Sequence, residues 1–108
     1  MKLTINSTLI VTASILLASI PSSVLAADGA ELYKAKTCIA CHGPDAKTPI
    51  MPTYPKLAGQ NAGYALQQMK DIKSGARNNG MTAAMKGVMH LVSDEEMVAL
   101  ADYLSSLK

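Results

Sequence analysis

Two cysteines and a histidine share the run Cys38-Ile39-Ala40-Cys41-His42, and no other feature of the chain restricts its fold so tightly. These are its only cysteines, and the sequence around them is short. Of 108 residues, 1–26 read as an export leader: Lys2 is the one charge before Asp28, Thr8 to Ile20 is an almost unbroken apolar run of 13, and Val24-Leu25-Ala26 is a small-residue exit. A membrane-crossing helix needs about 20 apolar residues, so this run predicts secretion rather than stable membrane insertion. Cleavage after Ala26 leaves 82 residues, 27–108, with Ala27 the competing position and retention as an anchor the alternative. That length excludes a multidomain enzyme. The remaining domain has no Trp or Phe, four Tyr and six Met. Domains of this size often recruit a cross-link, metal or cofactor, and something beyond side chains is expected to fill this core.

Charge narrows the partners. Without Lys2 there are nine basic residues against eight acidic, and the tyrosines are not interleaved with basic runs, so no nucleic acid is expected. The cysteine run admits several readings. A disulfide would close too short a loop to restrict the unfolded chain much. A thioredoxin-like pair needs a strand before it, whereas a helical pattern precedes Cys38 and Gly43-Pro44-Asp45 breaks the chain after His42. Zinc would need His90 as fourth ligand, at an abnormal spacing. C-x-x-C-H is, however, the attachment sequence for c-type haem: Cys38 and Cys41 become thioethers to the two vinyl groups, and His42 falls beneath the iron as proximal ligand.

Periodicity predicts helices and loops. Asp28 can cap a helix over about 29–37, which delivers Cys38 to the porphyrin edge. Residues 43–60, with Pro44, Pro49, Pro52 and Pro55, predict a loop over one haem face, where Ile50, Met51, Tyr54 and Leu57 call for cover. Asn61 can cap a second helix that stops at Gly75 and buries Ala62, Leu66, Met69 and Ile72. A loop is expected over 76–92. The last helix opens with Ser93-Asp94-Glu95-Glu96, a capping box whose acidic first turn suits the helix dipole, and its apolar stripe is Met97, Leu100, Ala101, Leu104 and Leu107. No strand alternation or repeat is present.

The helix into Cys-Ile-Ala-Cys-His-Gly, the segment Tyr54-Pro55-Lys56-Leu57-Ala58-Gly59-Gln60, the Met-bearing loop and the capped terminal helix resemble the class I c-type cytochromes. The likeness is strongest to small single-haem bacterial members and to single domains of di-haem periplasmic ones. It covers nearly all of 27–108. It implies an all-α cytochrome c fold, three main helices plus loops wrapped around one covalently attached haem c with its iron, and terminal helices that cross, bringing the first onto the Leu100/Leu104 face.

For the sixth ligand the loop offers Met81, Met85, Met89 and His90, with Met89 and His90 restricted by their closeness to the last helix. The resemblance favours Met85, which stands at the family's distance from the corresponding Ser93; Met81 is the runner-up. A thioether favours ferrous iron and raises the potential. Met69 and Met97 are expected to fill the core, while Met51, Met81 and Met89 line the haem crevice or its rim. The resemblance also places the carbonyl partner of His42 at Pro52. Arg77 is a candidate donor to a haem propionate, alongside Tyr54, Gln60, Asn61 and Tyr64. The seven lysines between positions 34 and 86 (Lys34, Lys36, Lys47, Lys56, Lys70, Lys73 and Lys86) are spread along the chain, and some can ring the haem edge.

The resemblance implies a soluble periplasmic one-electron carrier, not an enzyme, cycling between Fe(III) and Fe(II) with redox proteins as transient partners of a monomer. Two alternatives are the cytochrome subunit of a periplasmic dehydrogenase and, if iron lacks its Met ligand, a gas-binding sensor domain.

Overall fold

The computed structural model describes Ser14 and residues 28–108. Apart from Ser14, the expected leader lies outside the described residues. Asp28 starts α1 (Gly29–Ala35), its carboxylate accepting from the amides of Ala30 and Glu31. This helix ends two residues before the expected point. Thr37 adopts φ 64°, a left-handed conformation costly for a β-branched residue, and the jog starts a new helix, α2 (Cys38–His42). Gly43, at φ 85°, then turns the chain away.

The proline-rich segment that follows folds back on a single buried residue. Ala46 is fully buried at φ 59°, and its carbonyl accepts from the amides of Leu57 and Ala58 at 2.9 and 3.2 Å. Asn61 caps α3 (Ala62–Ser74) through the Tyr64 amide, and Gly75 in the left-handed region closes it. Ala65 and Ile72 are its buried residues, while Leu66 and Met69 are half-buried against the core.

The segment expected to be a loop over 76–92 contains a helix, α4 (Thr82–Met89). Its composition explains this: Thr-Ala-Ala-Met-Lys is a good helix-forming run, and the methionines recur at four-residue spacing. No side chain caps its start at Met81, and Gly87 lies within its last turn, so the usual boundary signals are weak or misleading.

Ser93 and Glu96 form the capping box of α5 (Asp94–Ser106) as expected. This helix organises the domain, packing on both α1 and α3, while α4 packs on α3. Met97, Leu100, Ala101 and Leu104 are its buried stripe; Met97, Leu100 and Leu104 join Tyr33, Ala46, Ile72, Met89 and Val92 in the core. The terminal helices cross closely because Gly29 has no side chain: a Cβ there would collide with the Ala99 carbonyl and Tyr103. One turn on, the Tyr33 and Tyr103 rings meet with centroids 5.8 Å apart. Among the described residues every regular element is helical, and the all-α expectation holds with two short helices, α2 and α4, beyond the three main ones.

Candidate haem site

The attachment run forms one short helix. Residues three apart on a helix lie on one side, so α2 presents Cys38 and Cys41 to the same region. Both are free thiols and half-buried. Burial pushes the Cys38 thiol up from its ordinary value, which keeps it protonated.

His42 is the one buried residue of α2, with 4% of its surface exposed. Its Nδ1 lies 2.9 Å from the carbonyl oxygen of Pro55. A carbonyl can only accept, so Nδ1 carries the proton and Nε2 presents its lone pair. This is the tautomer that a metal at Nε2 requires, and the hydrogen bond fixes the ring. The acceptor expected at Pro52 is therefore Pro55, three residues further on: the chain returns to Ala46 only at Leu57 and Ala58, which brings Pro55 over the imidazole.

Two further contacts hold the segment. The Tyr33 hydroxyl donates to the Gly43 carbonyl at 2.6 Å, and the Ile50 amide donates to the Cys41 carbonyl at 3.1 Å. Asp45 fastens the next turn through the Lys47 and Thr48 amides, which hold its carboxyl below the usual range. Neither Tyr33 nor Ala46 was singled out by sequence for these roles. The aromatic one turn before Cys38 is a usable signal for Tyr33; nothing local marks a buried alanine.

The methionines separate by environment. Met81, at the start of α4, is 55% exposed; Met89, at its end, is 2% exposed and belongs to the core. Met85 stands between them, half-buried and packed against the core cluster. His90 is exposed. Met97 fills the core as expected, and Met51 stays exposed. Arg77 donates from Nη1 to Gln68 Oε1 at 3.1 Å, which leaves it other N–H donors. Two of the lysines spread along the chain, Lys36 and Lys73, donate to the backbone carbonyls of Leu91 and Val92. A shallow depression of about 330 Å³ lined by Lys70, Lys73, Ser74, Asp94 and Met97 contains none of the attachment residues.

The donor set fits a covalent haem: paired free thiols on one short helix and a following imidazole in the right tautomer, with Leu57, Leu66, Met69 and Met85 half-buried against the core rather than sealed within it. Fold and site together define a helical protein of the c-type haem class. The family model for cytochrome c matches residues 26–108, and the chain belongs to that family. Its cofactor is haem c, covalently attached and carrying iron.

Cytochrome c4 of Pseudomonas aeruginosa is 44% identical over 75 residues, 69% of this chain and 35% of that one. Cytochrome c-553 of Nitratidesulfovibrio vulgaris is 38% identical over 86 residues, 80% of this chain and 82% of the relative. A protein of Stutzerimonas stutzeri described as a thiosulfate dehydrogenase electron acceptor is 39% identical over 89 residues, covering 76% of this chain and 40% of its own. The crystal structure of reduced recombinant cytochrome c4 from Pseudomonas stutzeri superposes with a TM-score of 0.68 at 33% identity, over 78% of this chain and 48% of that one. The chain thus spans less than half of the longer relatives and most of the shorter.

Proposed function

We propose that this chain is an exported monohaem electron carrier in which Cys38 and Cys41 hold the haem as thioethers and His42 and Met85 bind the iron. The observation that carries this reading is the buried His42, its Nδ1 donating to Pro55 and its Nε2 left to the metal, on the same short helix as two free thiols. When bound, haem supplies reversible one-electron chemistry at iron. The chain's residues set how that chemistry behaves. Pro55, by accepting from Nδ1, orients the imidazole and raises its donor strength. Met85 offers a soft thioether that favours the ferrous state. With His42 and Met85 both bound to it, iron would have no open site for substrate or gas. Arg77 supplies N–H donors toward a propionate.

Residues 1–26 act, on this reading, as a periplasmic signal peptide cleaved after Ala26, which the intact mass of the exported protein tests. The reading further expects one haem per chain by mass and no carbon monoxide binding by the native ferrous protein. Free carbon monoxide binding would turn the assignment to the sensor alternative.

A second reading, the electron-accepting subunit of a periplasmic dehydrogenase, is favoured by the likeness to the Stutzerimonas stutzeri electron acceptor. Purification as a stable redox-active monomer argues for the free carrier; obligate co-purification with a catalytic subunit argues for the other.

A further inference from the structure

α4 carries Met85, yet among the described residues α3 is the only helix that packs against it. Its C-terminal end is where the chain must turn into α5. There the Leu91 amide donates to Val88 O at 2.9 Å and the Val92 amide to Met89 O at 3.1 Å. The carbonyls of the same two residues, Leu91 and Val92, receive ammonium groups from the ends of two other helices. Lys36 Nζ, at the end of α1, donates to Leu91 O at 2.8 Å; Lys73 Nζ, in the last turn of α3, donates to Val92 O at 2.5 Å. Lys36 also lies 3.4 Å from Glu96 Oε2, a carboxylate itself held by the Ser93 amide.

This is not how solvated surface lysines behave. Ordering a lysine side chain costs rotamer entropy, and here two are ordered on adjacent carbonyls of one turn. Hydrogen bonds from charged donors are stronger than neutral ones. Lys36 stands two residues before Cys38. It therefore ties the haem-attachment segment to the end of the methionine-bearing helix, where no helix packing does so.

We propose that Lys36 and Lys73 are positioning residues, a two-point latch on the α4–α5 turn that holds α4 in place and so keeps Met85 on the iron. The inference rests on Met85 being the sixth ligand. The latch controls how often Met85 leaves the iron rather than whether the domain folds.

The test compares the ferric holoprotein with Lys36→Gln, Lys73→Gln and the double variant, with Lys47→Gln and Lys56→Gln as surface-lysine controls. Imidazole is added and its association with iron timed, since it can enter only when Met85 has left. The long-wavelength sulfur-to-iron absorption band and far-UV circular dichroism are followed on heating. A hydrogen bond from a charged donor is worth about tenfold in an equilibrium, so each single variant should bind imidazole about tenfold faster and the double variant faster still. The band should fade well below the temperature of helix loss, and both controls should match the wild type. Double-variant rates within about twofold of wild type, or band and helices lost together as in the wild type, overturn the latch. A wild type without the band means that Met85 is not the ligand, and the latch falls with it. Hydrogen exchange of the wild type needs no variant: the Leu91 and Val92 amides should be protected as well as those of α5, and local exchange about a hundredfold faster would also overturn the proposal.

Discussion

Tyr33 shows how one residue serves both core and site. Its ring packs in the central cluster, and its hydroxyl reaches the carbonyl of Gly43, next to His42. Burial pushes its ionisation up to about 12, with the negative charges of Cys38, Tyr103 and Asp45 adding to the effect. A thioether carries no charge, so in the holoprotein burial remains the leading cause. The folded state then holds a proton that the unfolded chain loses near 10.0. Stability should be level below pH 10 and fall as pH rises toward 12. Tyr33→Phe should cost about 1–2 kcal/mol at neutral pH, because the Gly43 carbonyl loses its donor. It should also flatten the alkaline slope, which denaturant unfolding of the holoprotein at pH 7, 10 and 11 will show. An unchanged slope would place the alkaline titration elsewhere. His42 was legible from its place after Cys41, but its acceptor was not: which proline carbonyl meets the ring depends on the return of the chain to Ala46, a contact set by tertiary packing.

Among the elements, α5 was the most legible because its boundary chemistry is local. The box of Ser93 and Glu96 lies within four residues and forms as read. Ser93→Ala should cost about 1 kcal/mol of unfolding free energy. The Ser93 amide, followed by Lys36, holds the Glu96 carboxyl below its ordinary range. Its contribution is therefore present above that ordinary value and lost as pH falls through the depressed one. Glu96→Gln keeps an acceptor without the charge, so it should soften the acid limb of a stability–pH curve by lowering stability at neutral pH while leaving it little changed in acid. The α1–α5 crossing depends on the missing side chain at Gly29, and Gly29→Ala should destabilise by about 1–3 kcal/mol, read as a lowered denaturation midpoint at unchanged slope. By contrast α4 was hidden. It spans 8 residues, has no side-chain cap and carries Gly87, so its four-residue methionine spacing reads equally as a ligand-bearing loop. What stabilises it is packing on α3 and the lysine contacts beyond its end, none of which is local in sequence.

At the scale of the molecule, near-neutrality governs encounter with partners. The sequence after Ala26 has nine basic and eight acidic residues, a near-balance that gives the domain no strong net field of one sign. Electron exchange with a redox partner should change by less than about threefold between low and physiological salt, in stopped-flow measurements across ionic strength. A steep fall would mean that the lysines form a docking ring. Length and the scarcity of large aromatics already implied a core completed by something other than side chains, and the C-x-x-C-H run specified what. The choice among the methionines was not decided by that run; it rests on the resemblance, which favours Met85 by its distance from Ser93, and the half-burial of Met85 is compatible with it. The central claim is that Met85 completes the iron coordination. Its most direct test is the absorption spectrum of the ferric holoprotein, wild type beside Met85→Ala: the account predicts the weak long-wavelength sulfur-to-iron band in the wild type and its loss in the variant. A wild type without the band, or a Met85→Ala variant that retains it, would contradict the account.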